Sequence, residues 1–99
     1  MPLDWNEVVK RYKDGADIPP IHGVAMVSIT GTDDEKVYLK HRLWQAALSR
    51  HNLEKAVTLL EQGKVTKKAA DFIDQYRVFV EDERPTMAAT VLKDLGYLE

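Results

Sequence analysis

Apolar residues near the start of the chain repeat with the period of an α-helix. Trp5, Val8 and Tyr12 fall on one helical face, and Asp4 stands where a side chain would cap the first turn. Gly15 suits the position that follows a helix end. These residues predict a first helix over residues 4 to 14. Its aromatic face must pack against the rest of the protein, because so short a helix is unstable alone.

The next apolar stretch favours an extended chain. Pro19 and Pro20 each remove a backbone donor and exclude a helix around them. The β-branched residues of 24–30 favour one short strand or an extended segment laid over helices. Residues 36–40 are the nearby candidate for a partner strand, although they also fit the beginning of a helix.

A capping-box sequence favours the helix. Thr32 and Glu35 are three residues apart with two acids between them, which is typical of a helix N-terminus. We therefore expect a helix over residues 33 to 50 whose wide apolar arc contacts several neighbours. Asn52 is the expected cap of a further helix. If there is no break at that point, residues 33 to 62 form one long helix.

Two more helices complete the predicted fold. Apolar spacing predicts a helix over residues 67 to 82 and a last helix that Thr86 caps and Gly96 ends. The whole pattern predicts a single domain, residues 1 to 99, of the mainly-α class. It is a small bundle of four to five helices with one extended segment or short strand at residues 18–31.

The composition removes several kinds of chemistry. The chain has 99 residues and no cysteine, so disulfides, thiolate metal sites and thiol nucleophiles are excluded. A cysteine-free chain favours the cytoplasm. No apolar run reaches the roughly 18 to 20 residues that span a bilayer, and the first residues do not resemble an export signal. We expect a cytoplasmic protein that does not enter a membrane.

No residue pattern indicates catalysis. The histidines at positions 22, 41 and 51 are too far apart for a helical metal pair, and the five isolated glycines form no phosphate-binding loop. We therefore expect no enzyme activity, no cofactor and no metal site. The catalytic alternative is a hydrolase or other small-molecule enzyme in which His41 works with a carboxylate such as Glu35.

The net charge of −2 conceals three segments of different sign. Residues 1–39 carry seven acids and four bases, residues 40–68 carry two acids and seven bases, and residues 69–99 carry seven acids and three bases. The basic middle segment favours either pairing with the acidic flanks or binding to nucleic acid. The bases of the nucleic-acid alternative are Lys40, Arg42, Arg50, Lys55, Lys64, Lys67 and Lys68.

Two stretches resemble parts of DNA-binding proteins. Residues 84–98, which end in Leu-Gly-Tyr-Leu-type sequence, resemble the recognition helix of winged-helix regulators, and residues 63–70 resemble the entry to a helix-turn-helix. The resemblance implies a nucleic-acid-binding regulator with a helix-turn-helix-like helical core. Arg84 and Lys93 are the only bases of the first stretch, whereas base readout usually employs several Arg, Asn or Gln side chains.

Large apolar and aromatic residues favour a different function. Trp and Tyr are enriched at protein interfaces, although most such residues must also serve the core. The sequence therefore predicts a small non-catalytic protein-interaction module, such as an adaptor, an assembly factor or an inhibitor of a partner protein. The partner is a protein, and self-association is one form of this function. The candidate partner-binding residues are Trp5, Tyr12, Ile18, Ile21, Tyr38 and Trp44.

Overall fold

The computed structural model describes residues 3–19, 21, 26–41, 44–80 and 84–99. Within them, four strands form one antiparallel sheet of order β1-β2-β3-β4, and the fold is α+β. The elements in chain order are α1 (Trp5–Arg11), β1 (Ala16–Ile18), β2 (Val27–Thr32), β3 (Lys36–His41), β4 (Trp44–Ser49), α2 (Arg50–Glu61), α3 (Ala69–Phe79) and α4 (Pro85–Asp94).

The predicted mainly-α bundle is wrong, because the segment expected to be a helix over residues 33 to 50 is a β-hairpin. β3 and β4 pair in a continuous antiparallel register. The alternative of one helix over residues 33 to 62 is wrong for the same reason. Residues 36–40 instead occupy the middle of the sheet, where they pair with β2 on one side and β4 on the other.

The supposed capping box makes a turn between β2 and β3. Asp33 Oδ1 accepts hydrogen bonds from the backbone N–H groups of Glu35 and Lys36, both at 2.8 Å. The backbone N–H of Asp33 donates to the Lys36 carbonyl at 3.0 Å. An aspartate that bonds the backbone following it suits a tight turn as well as a helix N-terminus. The local sequence therefore fits both structures, and the packing of the flanking residues decides between them.

Alternating burial explains why the flanking residues form strands. Val37 and Leu39 are buried, whereas Tyr38 and Lys40 are exposed. This period of two turns one face of the sheet toward the core and the other toward solvent. On a helix, the same residues would have spread their apolar side chains around a wide arc. The wide apolar arc of the predicted helix therefore reflects the alternating pattern of a strand.

The segment predicted as extended, residues 18–31, contains the end of β1 and most of β2. The structure has two strands where one was expected, and they pair with each other. β2 also pairs with β3 across an irregularity between Ile29 and Gly31, which leaves Thr30 as an extra, exposed residue. Such a bulge bends the strand locally. Part of the predicted 24–30 strand lies outside the described residues.

Several local predictions about the helices are confirmed. α1 and α3 lie within their predicted ranges. The predicted cap at Thr86 is wrong, because α4 begins at Pro85 and Arg84 occupies the cap position. Gly96 follows the end of α4 with a φ of 95°, and the Tyr97 N–H donates to the Leu92 carbonyl at 2.9 Å. This is the Schellman closure that a C-terminal glycine favours. No helix in the described part of the chain combines the length and apolar character needed to cross a membrane.

The predicted cap at Asn52 is wrong. α2 begins at Arg50, directly after β4, and Ser49 caps it. The Ser49 Oγ accepts a hydrogen bond from the Asn52 backbone N–H at 3.0 Å. Both Ser and Asn are good cap residues, so the choice depends on where the preceding strand ends.

The core lies between the inner face of the sheet and the helices. The buried residues of that face are Ile18, Val27, Ile29, Val37, Leu39 and Leu48. α1 packs beside β2, and α4 packs against α3 and β1. α4 is the most enclosed helix, because five consecutive residues, Ala88 to Leu92, are at most 1% exposed.

A buried tyrosine joins the two ends of the chain. The Tyr12 hydroxyl donates to Asp94 Oδ2 at 2.6 Å, and the exposed Arg11 guanidinium donates to the same oxygen at 3.1 Å. Burial and the hydrogen bond to Asp94 raise the pKa of Tyr12. The contact ties α1 to the end of α4.

Replacing Tyr12 by Phe should therefore destabilise the protein more than replacing Arg11 by Ala. The buried hydroxyl bond to a carboxylate is worth about 1 to 3 kcal/mol, whereas an exposed ion pair contributes about 0 to 1 kcal/mol. Urea unfolding of both variants measures the difference.

Because the raised pKa of Tyr12 favours the neutral phenol in the folded state, wild-type stability should fall as the pH rises above about 10. Tyr12→Phe should lose less over that range, and an equal loss would contradict the assignment.

Gly15 allows the chain to pass close to β2. Its φ is 80°, and a Cβ atom at this position would lie 2.8 Å from the Ile29 carbonyl oxygen. Gly63 has a φ of 73° but open space around it. The two glycines therefore share a backbone conformation and differ in crowding.

Gly15→Ala should cost clearly more stability than Gly63→Ala. The left-handed conformation alone costs about 1 to 2 kcal/mol for an L-residue, and the backbone clash adds to this only at residue 15. Thermal unfolding of the two variants provides the measurement. Equal losses would show that Gly15 is not crowded by β2.

Candidate interaction surface

The outer face of the sheet presents side chains to solvent. It carries Asp17, Thr30, Tyr38, Lys40, Gln45 and Ala47, all of them exposed. Tyr38 is the large apolar residue of this face and is 39% exposed. In the sheet register, Gly31 and Ala47 flank it on the neighbouring strands. Both neighbours are small and cover little of the Tyr38 side chain, which stays exposed.

β4 forms one edge of the sheet, and its peptide groups alternate in direction. The Arg50 N–H donates to the Glu35 carbonyl at 2.6 Å, in the same register as the β3–β4 pairs. In an antiparallel pair, hydrogen-bonded positions alternate with positions whose peptide groups point the other way. Arg50 occupies a hydrogen-bonded position, so residues at an odd number of positions before it point their N–H and C=O groups away from β3. Gln45 and Ala47 are two such residues, and their peptide groups point toward the open edge.

The two edges of the sheet differ in their protection. β1 has only three residues, one of which is Asp17, and Pro19 follows it directly. Short length, charge and proline are the usual means of preventing an edge strand from pairing further. β4 has six residues without charge, proline or glycine, and its register with β3 is regular. β4 is thus the edge that is competent to accept another strand.

Tyr38 is oriented by the turn that precedes it. Its hydroxyl donates to Asp33 Oδ2 at 2.6 Å. This bond, with the backbone bonds from Glu35 and Lys36, lowers the pKa of Asp33, and the same bond raises the pKa of Tyr38. At neutral pH the carboxylate is ionised and the phenol is neutral, which is the pair of states that the bond requires.

The same turn contacts α1 and the start of α2. The indole N–H of Trp5 donates to the Asp33 carbonyl at 2.7 Å, and the Arg50 guanidinium lies 5.4 Å from the centre of the Trp5 ring. Arg50 also donates to the Asp34 carbonyl and to Glu54, both at 3.2 Å. These contacts hold the end of β4 against the turn and thereby position the edge.

The candidate partner-binding residues do not form one surface. Trp5, Tyr12 and Ile18 are buried in the core, and Ile21 is partly buried against it. Tyr38 is the candidate that the structure exposes. Trp44 begins β4, and its side chain lies outside the described part of the structure.

The candidate nucleic-acid residues are also divided. Lys40 is on the outer face of the sheet, Lys55 is exposed on α2, and Arg50 is occupied by Trp5, Asp34 and Glu54. Arg42 lies outside the described residues. The exposed bases that remain close in sequence are Lys64, Lys67 and Lys68, in the connection from α2 to α3.

The helix that resembles a recognition helix has no free face for a DNA groove. The buried run of Ala88 to Leu92 covers more than a full turn of α4. A recognition helix must present several side chains to base edges. Nucleic-acid binding remains a prediction that rests on the lysines of the α2–α3 connection.

The catalytic alternative relies on His41, whose side chain lies outside the described part of the structure. Glu35 directly precedes β3 and His41 ends it, so their backbones are six positions apart, about 20 Å at the rise of a β-strand. His51 instead lines a cleft of about 330 Å³ with Glu35 and Glu54. Among the described residues, no three His, Asp or Glu side chains are grouped as metal ligands would be.

The residues of the β4 edge were missed in the sequence because residues 33–50 were assigned to a helix. Gln45, Ala46 and Ala47 have no strong strand preference, and their role depends on pairing with β3. The available signal was the alternation of Val37 and Leu39 with polar neighbours. A second signal was the run of residues 44–49 without charge, which is unusual for an exposed helix.

The comparisons with known proteins provide no relative for this fold and surface. No known protein family matches the chain, and no curated protein or solved structure is significantly similar to it.

Proposed function

We propose that the protein is a non-catalytic protein-interaction module that acts by strand addition at β4. An extended segment of a protein partner would continue the sheet beside Gln45 and Ala47. The observation that carries this proposal is the difference between the two edges: β1 is short, charged and followed by proline, whereas β4 is regular and uncharged. The cysteine-free sequence supports a cytoplasmic setting for this interaction.

The surroundings of the edge define the chemistry of the partner strand. On the outer face, a partner side chain opposite Ala47 would pass over that small residue toward the Tyr38 ring. On the inner face, an apolar partner residue would cover Ala46, which is only half-buried although its strand neighbour Leu48 is 1% exposed. We therefore expect the partner strand to have apolar residues at every second position and no charged residue at its centre.

Ala47→Pro tests this function at the backbone. Proline removes the N–H that points to the open edge and places its ring there, while the bonds from β4 to β3 stay intact. Peptides selected from a random display library on the wild-type protein should bind Ala47→Pro at least about tenfold more weakly. Fluorescence anisotropy measures the affinities.

Ala47→Ser is the matched control, because it retains the backbone N–H in a side chain of similar size. Its affinity for the selected peptides should stay close to that of the wild type. Peptides that bind Ala47→Pro as well as they bind the wild type would place the interaction elsewhere. That outcome would contradict strand addition at β4.

A further inference from the structure

We infer that the strand added at β4 is the β4 strand of a second copy of this chain, related by a two-fold axis at Ala46. This inference rests on the proposed function, since it names the partner at the same edge. The two sheets would join into one sheet of eight strands, with the helices of both copies on the same face. The argument depends on the direction of the peptide groups, the size of the central residue and the charges near the axis.

The peptide groups permit this pairing without rearrangement. Because Gln45 and Ala47 point toward the edge, an antiparallel copy can pair Gln45 of each chain with Ala47 of the other. Each of these two positions is a hydrogen-bonded pair, so the two chains would exchange four backbone hydrogen bonds. Paired side chains then face the same side of the sheet in both copies, as continuity of the core requires.

The residue on the axis has the size that the geometry requires. Ala46 would lie opposite its own copy in a pair without hydrogen bonds, where the Cα atoms approach to about 4.5 Å. In the single chain, Ala46 is half-buried, although its register partner Leu39 is 2% exposed. The core is thus incompletely covered at this position, and the second Ala46 would cover it with little added volume.

No charge within β4 opposes the pairing. A two-fold axis places any charge on the edge strand close to the same charge of the other copy, and β4 has none. The nearest strand base whose side chain is described is Lys40, on β3. Two copies of Lys40 would be separated by three strand spacings, about 14 Å, which exceeds the screening length at physiological salt.

Single cysteines in this cysteine-free chain test the inference directly. Ala46→Cys should form a disulfide-linked dimer under mild oxidation, since Cα atoms about 4.5 Å apart lie within the disulfide range. Ala47→Cys is the matched control on the same strand. In the proposed register, its two copies are more than about 8 Å apart and should remain unlinked. Non-reducing gel electrophoresis measures both, and circular dichroism of the reduced proteins verifies their fold.

The oligomeric state supplies the second measurement. The wild type should change from monomer to dimer as its concentration rises from about 1 µM to 1 mM, because a small interface is typical of weak association. Ala47→Pro should stay monomeric. Phe79→Ser should still dimerise, although it reduces the exposed apolar surface of α3, where Val78 is 79% and Phe79 is 41% exposed. Analytical ultracentrifugation distinguishes these cases.

Three outcomes would overturn the inference. They are a wild type that stays monomeric at every concentration, linkage of Ala47→Cys in preference to Ala46→Cys, and a dimer that Phe79→Ser abolishes while Ala47→Pro retains it. If the protein is monomeric but selected peptides still depend on the Ala47 N–H, strand addition at β4 stands and the second copy is excluded as the partner. If neither dimerisation nor peptide binding depends on the Ala47 N–H, the proposed function fails as well.

Discussion

The turn at Asp33 is the constraint on which the rest of the structure depends. One aspartate closes the hairpin with its carboxylate, orients Tyr38 with its second oxygen and receives Trp5 at its carbonyl. The adjacent carbonyls of Asp34 and Glu35 receive the side chain and backbone of Arg50. Helix α1, the central strands and the junction of β4 with α2 therefore meet at one short segment. Its polar groups gain these protein partners only when all three are in place.

This arrangement joins the stability of the fold to the geometry of its open edge. Arg50 follows β4 directly, so its contacts with the turn determine where the strand ends and where α2 begins. β4 itself contains no charged residue, so its position depends on its pairing with β3 and on these contacts of Arg50. An uncharged, regular edge is a risk for an isolated protein, because its free peptide groups can pair with any extended chain. Pairing with a defined strand would satisfy the groups that create this risk.

The predictable parts of the fold were those with local causes. The helical spacing of Trp5, Val8 and Tyr12, together with Gly96 at the end of α4, led to correct helices because both signals act within a few residues. The hairpin was missed because Thr32 to Glu35 suits both a turn and a helix cap. The candidate site was missed with it. Among the predicted interface residues whose side chains the structure describes, only Tyr38 is exposed, since the core needed the others.

The sequence by itself determined the absence of thiol chemistry, the helices at both ends and the residues available for the core. Each of these depends on residue identity or on neighbours along the chain. Only the tertiary structure decided that residues 36–49 form strands and that Gln45 and Ala47 lie at an open edge. A strand is stabilised by residues distant in sequence, so its alternating pattern has meaning only when a core covers one of its faces. The edge exists because β4 pairs with β3 on one side alone within the described sheet.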